Sequence, residues 1–138
     1  MGKFIHIRSD KFPILPGEED EIINDGMYGK ALAEYLQKEL IKQGYKIPFV
    51  CAEDWGWWVE LDLDSIRTGV CIYALPATSD PIEYVCTDGF KAGRKWSWSK
   101  LRFVDTKPLA DKICNDIVNI FRADMEIQIL TISDESPF

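Results

Sequence analysis

The chain has 138 residues, 46% hydrophobic and 28% charged, the make-up of an ordinary globular protein rather than a disordered or membrane-embedded one. That length fits a single domain spanning 1–138, with a core large enough to need no metal or disulfide staple. Against 16 basic residues stand 23 acidic ones, and the net charge of -7 argues against nucleic acid and anionic membrane as partners.

In chain order, residues 3–8 read as a short strand, followed by a loop through Phe12, Pro13, Leu15, Pro16 and Gly17. The acidic run Glu18, Glu19, Asp20, Glu21 reads as a solvated loop, since it lacks the ligand spacing and the glycine of a calcium-binding loop. Asn24, Asp25 and Gly26 form a turn or helix cap. From 27 to 43, Tyr28, Leu32, Tyr35, Leu36 and Leu40 make an apolar stripe opposite Lys30, Glu34, Lys38 and Lys42. That spacing predicts an amphipathic helix, closed by Gly44 as a left-handed cap.

Strands are expected near 46–52, 57–63, 69–75 and 82–87, divided by turn formers at Asp54, Gly56, Asp64, Pro76 and Pro81, with a further strand over 95–103. A second helix is predicted from about Thr106 to Arg122, capped by Asp105 or Thr106. Pro108 lies in its first turn, and Leu109, Ile113, Ile117, Ile120 and Phe121 line one side. A last strand over 126–130 leads to a mobile tail at 133–138.

Adjacent strands without long crossovers favour hairpins. Each helix has a single apolar stripe to bury. The fold class is therefore α+β: a two-layer sandwich with a mainly antiparallel sheet of five to six strands and two helices on one face. Its core is expected to hold Ile5, Ile7, Leu32, Leu36, Val59, Leu61, Ile113, Ile117, Ile127 and Ile129.

The other sheet face carries the functional interest. If Trp57, Val59, Leu61 and Leu63 point inward, Trp58, Glu60, Asp62 and Asp64 share the outer face. Counted the same way through 95–103, Trp96, Trp98, Lys100 and Arg102 share one side. Tryptophan among charges suits a contact surface, although Trp58, Trp96 and Trp98 could equally cover one another.

Catalytic signatures are sparse. His6 is the sole histidine and has no nucleophile beside it. Glu53 and Asp54 offer a carboxylate pair beside Trp55, but neighbours on a strand point to opposite sides, and capping the turn is the simpler role. The glycines and cations at 89–95 lack the ending of a phosphate loop. Cys51, Cys71, Cys86 and Cys114 are widely spaced among apolar neighbours, which reads as buried thiols rather than a zinc site or disulfide framework. No cofactor or metal is expected. The N-terminal residues do not read as a signal peptide and no apolar run reaches membrane-spanning length, so the expected location is cytoplasmic.

Three segments together carry a resemblance: Leu15 to Glu21 (LPGEEDE), Gly26 to Leu36 (GMYGKALAEYL) and Glu53 to Trp58 (EDWGWW). In these the chain resembles a group of small bacterial proteins of no known activity. The resemblance implies a compact bacterial domain, an accessory protein of mobile DNA, and carries over no functional residue.

The leading expectation is a non-catalytic binding or protein-interaction domain, using the Trp-rich face and the loops at 15–26 and 53–57. Its partner would be an unidentified protein, a small ligand, or a second copy in a homodimer. The alternative is a small-molecule-binding protein or enzyme with a pocket between sheet and helices, lined by Tyr28, Trp55 and Trp57 near Glu53 and Asp54. Together with Trp58, Trp96, Trp98 and Arg102, these form the candidate site.

Overall fold

Period-two alternation along the strands and three-to-four spacing along the helices turn their apolar sides toward one shared interior. The computed structural model describes residues 3–64, 66–75, 81–90, 94–97 and 102–135, with 94–97 and 102–105 described by their backbone course alone. The elements run β1 (Phe4–Arg8), α1 (Lys30–Lys42), β2 (Val50–Glu53), β3 (Gly56–Asp62), β4 (Arg67–Ala74) and β5 (Glu83–Asp88). After them come β6 (Arg94–Ser97), β7 (Arg102–Asp105), α2 (Lys107–Ala123) and β8 (Gln128–Ser133), and a short 3₁₀ turn at Glu18–Asp20 precedes α1.

Six strands form one sheet in the order β2-β3-β4-β5-β1-β8, antiparallel at every step. Ile5, Ile7, Val59, Leu61, Val70, Ile72 and Cys86 line one face of it. Leu32, Leu36 and Leu40 of α1 and Ile113, Ile117 and Phe121 of α2 close over them. Both helices thus lie on the same side, giving the α+β two-layer sandwich. Of the expected core, Ile129 is the exception. It is only half-buried, because β8 is an edge strand with a register shift opposite His6 and Ile7.

The start of α1 departs from the apolar stripe. The helix begins at Lys30 because Gly29 takes φ +152°, a conformation that favours glycine. A Cβ at Gly29 would also stand 3.1 Å from the side chains of Ile72 and Trp57. Tyr28 therefore precedes the helix instead of joining its stripe.

The cap comes from far back in the chain. Gly29 N–H and Lys30 N–H donate to Glu18 Oε2 at 2.9 and 3.0 Å, and Leu15 N–H donates to Glu18 Oε1 at 3.0 Å. Glu18 is 0% exposed, which corrects the reading of the acidic run as uniformly solvated. A carboxylate at a helix N-terminus satisfies orphan N–H groups and meets the positive end of the dipole. At the other end Gly44 adopts φ +97°, and Tyr45 N–H donates to Leu40 O at 3.1 Å, closing the helix as expected.

Other boundaries move for local reasons. Before β2, residue Lys46 makes only an isolated bridge to Asp62, so the strand proper starts at Val50. Asp64 leaves the sheet: it is an exposed residue at φ +67° in the turn after β3. The segment 95–103 is not one strand. Arg94–Ser97 pairs antiparallel with Arg102–Asp105 as a separate two-stranded sheet, with Trp96 opposite Phe103 and Ser97 opposite Arg102. Parity cannot be counted through a hairpin, so the shared face of Trp96, Trp98, Lys100 and Arg102 does not follow; Trp98 and Lys100 lie outside the described residues. Helix α2 has Thr106 at its N-cap, but the residue serves through its carbonyl, which accepts from Ala110 N–H at 2.8 Å, and not through its hydroxyl. The last strand lies later than expected and takes in Ser133, the first residue of the expected tail; 136–138 fall outside the described residues. No helix among the described residues is long and apolar enough to cross a membrane.

Candidate functional site

Strand parity defines the sheet face away from the helices. Cys51, Trp58, Cys71 and Thr87 form one cross-strand row from β2 to β5. Glu53 and Tyr73 lie on the same side at the next alternate positions, and Phe4 joins it from β1. Around this row the surface is concave. A cavity of about 550 Å³ is lined by Phe4, Glu53, Trp55, Trp58, Cys71, Tyr73, Thr87, Asp88, Gly89 and Phe90.

Trp58 shapes the cavity. A Cβ placed on Gly69 would fall 2.5 Å from its indole, and one on Gly89 would fall 2.6 Å from it. The ring therefore lies over two residues whose side chains are missing, across β4 toward the end of β5. Gly89 N–H donates to Gly69 O at 2.7 Å, which joins the two glycines into one platform. The indole Nε1–H donates to Glu60 Oε1 at 2.7 Å, and Glu60 pairs in turn with Arg67 at 3.4 Å. Packing on backbone and a charge-assisted hydrogen bond leave Trp58 little rotamer freedom.

Trp55, from the turn between β2 and β3, stands edge-on to Trp58 with ring centroids 6.4 Å apart and planes at 78°. It also leans on Tyr73, with centroids 5.1 Å apart. The three rings make a continuous aromatic wall. Burial pushes the Tyr73 phenol up to about 12, helped by the neighbouring Cys71 thiol, so the hydroxyl is neutral at physiological pH. Burial, with the Glu53 carboxylate beside it, also raises the Cys51 thiol.

Glu53 and Asp54 make no carboxylate pair, and among the described residues neither side chain accepts from a backbone N–H of the turn, the capping role expected of them. Glu53 lines the cavity, and its only hydrogen-bond partner among the described residues is the Cys51 thiol at 3.7 Å. Asp54 is exposed in the turn, where its carbonyl accepts from Asn24 Nδ2 at 2.7 Å. That bond joins the 15–26 loop to the 53–57 turn. Asp88, also on the cavity, accepts from Phe90 N–H at 3.0 Å through Oδ1 and so shapes the local turn.

The pocket expected between sheet and helices is also corrected. Trp57 is 2% exposed, a core residue packed beside Gly29, because its position on β3 has the opposite parity to Trp58. Trp55 lies on the far side of the sheet, and Tyr28 is absent from the cavity lining. The side chains of Trp96 and Arg102 lie outside the described residues, as does all of Trp98.

Phe4, Cys71, Tyr73, Thr87 and the glycine platform went unread in the sequence. A signal existed for part of this set: alternation through Gly69, Val70, Cys71, Ile72 and Tyr73 sets Gly69, Cys71 and Tyr73 on the side opposite the core. His6 lies on this face too, where its Nε2 meets Glu83 Oε1 at 2.7 Å. The Arg8 guanidinium, with His6 in support, holds the Glu83 carboxyl below its ordinary range. Arg8 and Glu83 form an ion pair that His6 joins by a hydrogen bond, with no hydroxyl or thiol bonded to the imidazole among the described residues.

No family model matches the chain, and no similar protein is found among curated sequences or solved structures.

Proposed function

We propose that this protein is a non-catalytic binding domain that receives its ligand in the aromatic cavity on the open sheet face. The observation that carries the reading is the fixed Trp58 indole, held on Gly69 and Gly89 and bonded to Glu60, as one wall of a 550 Å³ cavity. A volume in this range, with an apolar wall and a few polar groups, is typical of small-molecule sites. A wall already in place lowers the ordering cost of binding. Separation of Glu53 from Asp54, with Asp54 turned to solvent, supports binding over paired acid–base chemistry. Of the three segments that carry the resemblance to the small bacterial group, only the third lines this cavity. The first caps α1 through Glu18, and the third supplies Trp55 and Trp58.

Protein-observed NMR with a mixed library of small aromatic, cationic and anionic fragments tests the proposal. Fragments that bind should shift the Trp58 indole N–H signal, and Gly69→Ala should abolish the shift while the protein stays folded. Binding confined to residues away from this face would remove the proposal. So would a stable dimer that takes up no fragment and dissociates on Trp58→Glu, since the face would then be a self-association surface.

A further inference from the structure

The cavity has a chemical bias beyond its apolar wall. Five of its lining residues, Phe4, Trp55, Trp58, Tyr73 and Phe90, are aromatic. The charged side chains on it among the described residues are both acidic, Glu53 and Asp88, and no described lysine or arginine lines it. Asp88 is engaged by the Phe90 N–H, 3.0 Å from Oδ1, and is 6% exposed. Glu53 is half-buried and holds only a weak thiol contact at 3.7 Å, so its carboxylate retains acceptor capacity at the cavity rim. Among the described lining residues, an anion would meet carboxylates and no lysine or arginine. A ligand with neither positive charge nor a hydrogen-bond donor would leave Glu53 partly desolvated without compensation. A cation with an apolar body satisfies both components, because indole and phenol faces attract positive charge and a carboxylate completes the shell.

We propose that the ligand is a small organic cation, with a quaternary or alkylated ammonium head group held against Trp55, Trp58 and Tyr73 and neutralised by Glu53. The proposal rests on the binding reading above and specifies the ligand's charge and shape. The chain's net charge of -7 adds a long-range field that favours a cation's approach.

The test compares acetylcholine with 3,3-dimethylbutyl acetate, which has the same shape without the charge. Both are titrated into the full chain and followed by the tryptophan indole N–H signals. Acetylcholine should bind about tenfold or more tightly than the neutral ester, the ratio expected of a partly desolvated cation–π site. Glu53→Gln should cut that ratio several-fold by weakening acetylcholine without weakening the neutral ester. Trp55→Leu should weaken acetylcholine more than the ester, and guards against a Glu53 variant that fails to fold. Equal binding of the two probes, lost together in Gly69→Ala, would overturn the cation while the cavity reading stands. Failure of both probes, together with a fragment screen that finds the face empty, would remove both.

Discussion

Replacing Glu18 tests the account of the fold most directly, because one side chain there holds three backbone N–H groups from two segments. Glu18→Ala leaves Leu15, Gly29 and Lys30 N–H without their acceptors, at sites where the missing side chain is 0% exposed. Hydrogen bonds to a charged group contribute about 1.5–3 kcal/mol each, but the 15–29 loop can open and admit water to part of the gap. Loss of an ordinary N-cap alone costs about 1 kcal/mol, and the helix dipole adds up to about 1 more. The expected total is about 3 kcal/mol, a large share of the ~5–15 kcal/mol that stabilises a typical domain.

Glu18→Gln keeps one acceptor oxygen. It should favour the Gly29 and Lys30 pair and lose Leu15, for a cost of about 1–2 kcal/mol. Urea unfolding followed by far-UV circular dichroism reads both values, provided the slope with denaturant is unchanged. The order Ala worse than Gln follows from geometry alone. A Glu18→Ala protein within about half a kcal/mol of wild type would show that the carboxylate does not hold the helix, and would refute the reasoning.

Three further predictions concern the core, the platform and the thiols. Leu36→Ala and Ile117→Ala each remove a fully buried side chain facing the sheet and should cost about 2–5 kcal/mol, read by the same unfolding assay. Gly69→Ala sets a methyl group 2.5 Å from the Trp58 indole, so the ring must lift. A cost of about 1–3 kcal/mol and a displaced Trp58 indole resonance are expected, and an unchanged spectrum would contradict the platform. Cys71, Cys86 and Cys114 are buried free thiols, the last pushed up to about 11 chiefly by burial, so they should react with maleimide or iodoacetamide only on unfolding. Half-buried Cys51 should label slowly in the folded state and faster as the pH rises toward its raised pKa; mass spectrometry counts the adducts.

Much of the architecture was legible in the chain because periodicity reports which side of an element must leave water. Leu32, Leu36 and Leu40 could serve only a helix with one buried stripe, and Val59 and Leu61 only a strand with one buried side. Parity then assigned Trp58 to the open face and, left uncorrected by anything local, would have done the same for Tyr73. It also sufficed to keep Trp57 out of any open-face site, although the expected aromatic pocket mixed the two sides. Periodicity fails where the chain reverses without an evident break, as between β6 and β7, and where a single glycine conformation overrides an apolar stripe, as at Gly29.

What only the tertiary structure decided is which strands become neighbours. Placing β1 between β5 and β8 brings Phe4 to the same cavity as Trp58, and stacking Gly69 beside Gly89 makes the floor on which that indole lies. Glu18 reads as one charge among several in an acidic run until the loop folds back and supplies three N–H groups to it. Local patterns encode how each element divides apolar from polar surface. The pairing of distant elements depends on the total burial and hydrogen bonding that many segments achieve together, and no window of sequence contains that sum.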